Sequence, residues 1–139
     1  KKQSLKEVLQ KFEGKAVYID FWASWCVPCI KDILDSKESK TLLASKDVEY
    51  LYIGHKDEAK NWTSASEKHG IIKNQYLEIN SEQSPLSEYF KVTSIPRYIL
   101  LNKEHKVVNA KAPRPTPKDL DDFKDEISKL TRVMVWGSK

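Results

Sequence analysis

No apolar run among the 139 residues approaches the ~18 that a membrane-crossing helix needs, so no such helix is expected within this chain. One-sided charge is missing as well. The 24 basic and 20 acidic residues leave a net charge of +4, and the two signs are interspersed. That leaves no basic footprint for nucleic acid, and the lysines read as a solvated surface. No internal repeat, low-complexity segment or interdomain linker interrupts the chain, so residues 1–139 are expected to form one domain with its own core. Histidine is limited to His55, His69 and His105, with no HxxxH spacing, and each is expected on the surface or in a turn. Cysteine is limited to two residues, too few for a disulfide scaffold. The opening KKQSLKEVL has no apolar stretch after its lysines, so no signal peptide is expected in it. An excised domain or the mature part of an exported or membrane-anchored chain is expected, with a cytoplasmic protein as the alternative.

What is present is a globular balance, 40% hydrophobic and 32% charged. Ser4 and Glu7 form a capping-box signature, and Leu5, Val8, Leu9 and Phe12 share one helical face up to Gly14. KAVYIDFWA is apolar on both alternating faces, the pattern of a strand covered on two sides. Residues 28–44 predict a helix broken near Ser36–Ser39, and DVEYLYIG, residues 47–54, a second strand. A polar helix is expected over 57–69, stopped by Gly70, and an extended segment over 75–80. Ser84 and Pro85 start another helix, with Leu86, Tyr89, Phe90 and Val92 expected to face inward. RYILLN and KVVNAKA read as a hairpin around Lys103–Lys106. Thr116 and Pro117 open a last helix whose core face is Leu120, Phe123, Ile127 and Leu130, and the tail from Val133 is unassigned. Alternating helices and strands followed by a hairpin predict an α/β sandwich with a central mixed sheet.

The two cysteines are Cys26 and Cys29, in the stretch FWASWCVPC. Such a pair is half of a metal clip, a small structural disulfide, or a working redox couple. A structural zinc needs four ligands, and no second CxxC supplies them, so no metal is expected. Cys26 falls just after a strand and at the start of a helix. Free backbone N–H groups and the positive end of the helix dipole stabilise a thiolate there. Cys29 lies one turn on, on the same side. One sulfur can attack a disulfide while the other resolves the mixed disulfide. Pro28 costs little, because N–H groups of the first turn lack intrahelical partners. A strand, then CxxC, then a helix in an α/β pattern points to redox chemistry.

The segments YIDFWASWCVPC, 18–29, and YFKVTSIPRYILLN, 89–102, resemble the thioredoxin superfamily, within it the TlpA/ResA-like thiol–disulfide oxidoreductases. The resemblance covers about residues 4–131 and implies a thioredoxin-like three-layer sandwich with an insert near 56–80. It implies that Cys26 attacks, that Cys29 is the buried resolving thiol, and that no cofactor beyond this dithiol/disulfide couple is used. It aligns Pro96 with the family's cis-proline and gives the backbone of Ile95 to the substrate strand. It also puts Asp20 where thioredoxins hold an acid that relays protons to the resolving cysteine. A carboxylate in an apolar strand should have a raised pKa, and Asp20 is the expected base for Cys29, with a wet strand-end aspartate as the alternative. Trp25, with Val27 and Pro28, is expected to form the apolar surface around an exposed Cys26 sulfur, while Trp22 packs inside. Lys31 is expected to be solvated.

Some positions depart from the family pattern. Val27 stands where glycine or glutamate is frequent, and Leu34 replaces a proline that kinks the first helix, so a less kinked helix is expected there. His105 replaces a hairpin glycine, so a different turn conformation is expected there. Val27–Pro28 adds no positive charge, which favours a reducing couple. The expected function is reduction of protein disulfides in exported proteins. An upstream thiol reductant, such as a membrane thiol-transfer protein, would recharge the couple. The alternative is a recognition module of a larger membrane-anchored protein with secondary redox capacity. A peroxidase would carry threonine three residues before the reactive cysteine, where this chain has Ala23.

Overall fold

The structure, a computed structural model, describes residues 5–78 and 85–137. Its spine is β1 (Ala16–Trp22), in which every residue is buried. The alternation of the strand divides it between two cores. Ala16, Tyr18 and Trp22 join one with Cys26, Cys29, Ile33, Leu43, Phe123 and Ile127. Val17, Ile19 and Phe21 join the other with Val8, Leu9, Phe12 and Phe90. A strand this apolar on both faces is stable only between two helical layers, as its sequence predicts.

Parallel β2 (Val48–Gly54) lies on one side of β1, and β3 (Gln75–Leu77) extends the sheet beyond it. On the other side come antiparallel β4 (Arg97–Leu101) and β5 (Val107–Asn109), giving the order β3-β2-β1-β4-β5. The Cys26 face carries α2 (Val27–Leu34), α3 (Lys37–Ser45) and α6 (Leu120–Gly137). The opposite face carries α1 (Leu5–Gln10) and the chain around α5 (Pro85–Tyr89). Within the expected insert, α4 (Ala59–Lys68) sets Trp62 and Ala65 against the first core.

Several expectations need correcting. Tyr89, the last residue of α5, points outward, 64% exposed, because Phe90 just beyond the helix fills the core place and meets the Tyr89 ring edge-on, centroids 4.9 Å apart. Leu34 does not straighten the helix. The chain breaks after it regardless, and Ser36 Oγ closes the break by donating to the Ile33 carbonyl at 2.7 Å. His105 adopts the left-handed conformation that glycine favours, with φ +63. Its Nε2 lies 2.9 Å from the Phe12 carbonyl and 3.1 Å from that of Lys15, contacts that offset the strain. Thr116 precedes the 3-10 turn Pro117–Asp119 as expected, but its hydroxyl bonds the Asp119 carboxylate rather than a backbone N–H. The capping roles of Ser4 and Ser84, the side chains of Leu5 and Leu86, and the end of the 75–80 segment lie outside the described residues. The helix α6 continues through the unassigned tail to Gly137.

Candidate active site

The site begins where β1 runs out. The Ala23 carbonyl accepts the N–H of Cys26 at 3.1 Å, closing a turn that leaves Cys26 as the N-cap of α2. With φ −93 and ψ 100 its backbone is extended, and its sulfur accepts the N–H of Cys29 at 3.2 Å. Ser, Thr or Asp oxygen usually fills this role. Here a sulfur receives the field and a hydrogen bond of the helix start, and a thiolate would receive both more strongly. Cys26 and Cys29 are joined as a disulfide, with Cα atoms 5.2 Å apart. Pro28 occupies the first turn, where its missing N–H costs nothing.

The expected exposed sulfur at Cys26 is corrected. In the disulfide Cys26 keeps 4% of its surface and Cys29 1%. The sulfur of Cys26 turns under the first turn toward Cys29, and the exposed parts of the site are its neighbours. Trp25 is 58% and Val27 77% exposed, a collar of apolar surface with exposed Pro28. Trp25 is fixed outward by its indole Nε1, which donates to the Lys56 carbonyl at 2.7 Å. Trp22 is fully buried, its indole donating to Gln75 Oε1 at 3.0 Å. Lys31 is solvated and pairs with Asp35 at 3.3 Å.

The Ile95–Pro96 peptide bond is cis. Arg97 pairs with Phe21, so one step further along the antiparallel ladder Pro96 comes level with Trp22, at the end of β1 that leads to the cysteines. Ile95 is half-buried and touches both cores.

Asp20 shares the face of Tyr18 and Trp22, the face that carries Cys29. It is buried, and burial is the main reason its carboxyl rises from the usual range to about 7. The charge of Asp32 pushes in the same direction. The Tyr50 hydroxyl, donating to Oδ2 at 2.8 Å, and the charge of Lys40 pull it down. Oδ1 is buried with no hydrogen-bond partner. Burial holds the Tyr50 and Tyr98 phenols far above their ordinary range, so both are neutral donors.

Sequence reasoning missed the surroundings of Asp20. Asp32, one turn beyond Cys29, is a second buried carboxylate, its Oδ2 accepting from Tyr98 Oη at 2.7 Å and from Arg114 Nε at 2.9 Å. Lys40 Nζ donates to Tyr52 Oη at 2.7 Å and lies over the rings of Tyr50 and Tyr52. The available signal was spacing: Tyr50 and Tyr52 alternate as Tyr18 and Asp20 do, and Asp32 sits three residues from Cys29. His55 was misplaced. It is buried, with Nδ1 3.0 Å from Glu78, whose other oxygen accepts the N–H of Ser87. Among the described residues no group of three or more His, Cys, Asp or Glu is placed to hold a metal ion.

The family model described as Redoxin matches residues 2–127. The thiol-disulfide oxidoreductase ResA of Bacillus thuringiensis (strain Al Hakam) is 29% identical over 125 residues, covering 86% of this chain and 68% of that protein. Among solved structures, the thioredoxin domain of a thiol-disulfide oxidoreductase from Bacteroides vulgatus superposes with a TM-score of 0.71 at 25% identity, over 87% of this chain and 82% of that one. A thiol:disulfide interchange protein from Bacteroides sp. gives 0.69 at 26%, over 87% and 76%.

Proposed function

The chain belongs to the Redoxin family and is a ResA-like thiol–disulfide oxidoreductase of the thioredoxin superfamily, and from that premise we propose that it reduces disulfides of exported proteins. The observation that carries this reading is the sulfur of Cys26 at the N-terminus of α2, bonded to Cys29 and accepting its N–H. In the reduced protein the Cys26 thiolate attacks one sulfur of a substrate disulfide. A mixed disulfide forms and a substrate thiolate leaves. Asp20, as the base, takes the proton of Cys29, whose thiolate then attacks Cys26. The Cys26–Cys29 bond forms, the second substrate thiolate leaves, and two electrons have passed to the substrate. The Asp20 proton passes to water or to a leaving thiolate. An external thiol reductant restores the dithiol by the reverse exchange.

Trp25, Val27 and Pro28 offer the substrate an apolar bed, and the backbone of Ile95 beside Pro96 offers it strand-like hydrogen bonds. The exported setting, within a longer chain, rests on the likeness to TlpA/ResA-like proteins. The absence of added positive charge between the cysteines supports the reducing direction. The test is a redox titration of the couple with insulin reduction measured alongside. A potential of about −220 mV or lower, with insulin reduction abolished in Cys26→Ser, supports the reading. A potential near −120 mV makes the protein an oxidant, and insulin reduction that survives Cys26→Ser removes the assigned nucleophile.

A further inference from the structure

The loop that follows β2 grips the turn that launches Cys26. The Trp22 carbonyl accepts the N–H of His55 at 2.8 Å, and the Trp25 indole donates to the Lys56 carbonyl. Next in the same loop is Asp57, a buried carboxylate. Its Oδ2 accepts the backbone N–H of Ser24 at 2.6 Å, and its Oδ1 accepts the Ser24 hydroxyl at 2.8 Å and the N–H of Glu58 at 3.0 Å. All three partners donate, so the donor set fits the ionised, acceptor-only form. Among the described residues no lysine, arginine or histidine pairs with it. The charged groups on neighbouring elements are otherwise engaged or exposed: Lys31 with Asp35, His55 with Glu78, Lys56 and Glu58 at the surface.

A carboxylate without a counter-ion, bonded to Ser24 two residues before the proposed attacking cysteine, does two things at once. It holds the turn that makes Cys26 an N-cap. It also opposes a second negative charge nearby. We propose that Asp57 is a positioning residue that raises the proton affinity of Cys26 and thereby keeps the couple reducing. The reasoning rests on the assignment of Cys26 as the attacking thiol. A less stabilised thiolate means a less stable dithiol form, and hence a more reducing couple. The helix start and Asp57 then act in opposite directions on the same sulfur, and the reactivity of Cys26 is their balance.

The experiment measures alkylation of reduced Cys26 by iodoacetamide from pH 5 to 10, and the equilibrium of the couple with glutathione. In Asp57→Asn the amide keeps the shape and loses the charge. Alkylation at pH 6 is expected to rise about three- to tenfold, and the glutathione equilibrium to move toward the dithiol by a similar factor. Ser24→Ala removes one hydrogen bond and keeps the charge, with an expected shift below about twofold. Asp57→Ser, smaller and also uncharged, carries the same expectation as Asp57→Asn should that variant fail to fold. An unchanged or upward-shifted midpoint in a folded, uncharged variant overturns the role of Asp57. Insulin reduction that survives Cys26→Ser overturns instead the assignment of Cys26 as the attacking thiol, on which the proposal rests.

Discussion

Asp20 is the residue whose environment departs most from its chemistry. Its carboxyl ionises at about 7 in the folded chain against an ordinary 3.8, mainly because burial disfavours the charge. The fold therefore favours the protonated form. That contribution is whole below about pH 4 and is lost as the pH rises through 7. Asp20→Asn, which never ionises, should gain stability over the parent across this window. The gain should level off above about pH 8 at no more than ~4 kcal/mol, read from urea unfolding of the disulfide form at a series of pH values. Activity should move the other way. If Asp20 is the base for Cys29, Asp20→Asn should reduce insulin at least ~tenfold more slowly at pH 8, and the deficit should shrink below pH 6, where the parent carboxyl is already protonated. A deficit of equal size at every pH would remove the base role.

At the scale of elements, the sheet and the α4 insert are tied through one close approach. A Cβ added at Gly54 would lie 2.6 Å from Cδ1 of Trp62 and 2.9 Å from Cδ1 of Leu77. The Trp62 indole has little freedom to retreat, because Gln75 Oε1 accepts from it at 3.1 Å and also holds Trp22. Gly54→Ala should cost ~1–3 kcal/mol by urea unfolding, with a changed tryptophan emission in the folded state. An unchanged midpoint would mean that α4 is free to shift. The same element logic explains the missed His55. A histidine just past a strand reads as a turn residue, yet it is buried against Glu78, whose other oxygen accepts the N–H of Ser87.

For the whole molecule, the two faces of one sheet carry the stability. Phe123, from the last helix, is 1% exposed against Tyr18, with ring centroids 5.2 Å apart. Phe123→Ala should lose ~3–5 kcal/mol. Leu34→Ala, at a 64% exposed position, should stay within ~0.5 kcal/mol. Comparable losses at both positions, in parallel urea titrations, would contradict the two-core description.

The sequence by itself determined the strand covered on both faces, the break between α2 and α3, the hairpin, and the placing of Cys26 at a strand-to-helix junction. Each of these follows from local period or spacing, which needs only neighbours along the chain. It also singled out Asp20, because one acid in an apolar strand is visible without coordinates. Only the tertiary structure decided which groups act on that acid and on the sulfurs. Tyr50 is 30 residues from Asp20, Asp57 is 33 from Ser24, and Arg114 is 82 from Asp32. Hydrogen bonds and desolvation depend on distance through space, and strand order together with helix packing sets those distances. No periodicity in the chain encodes them.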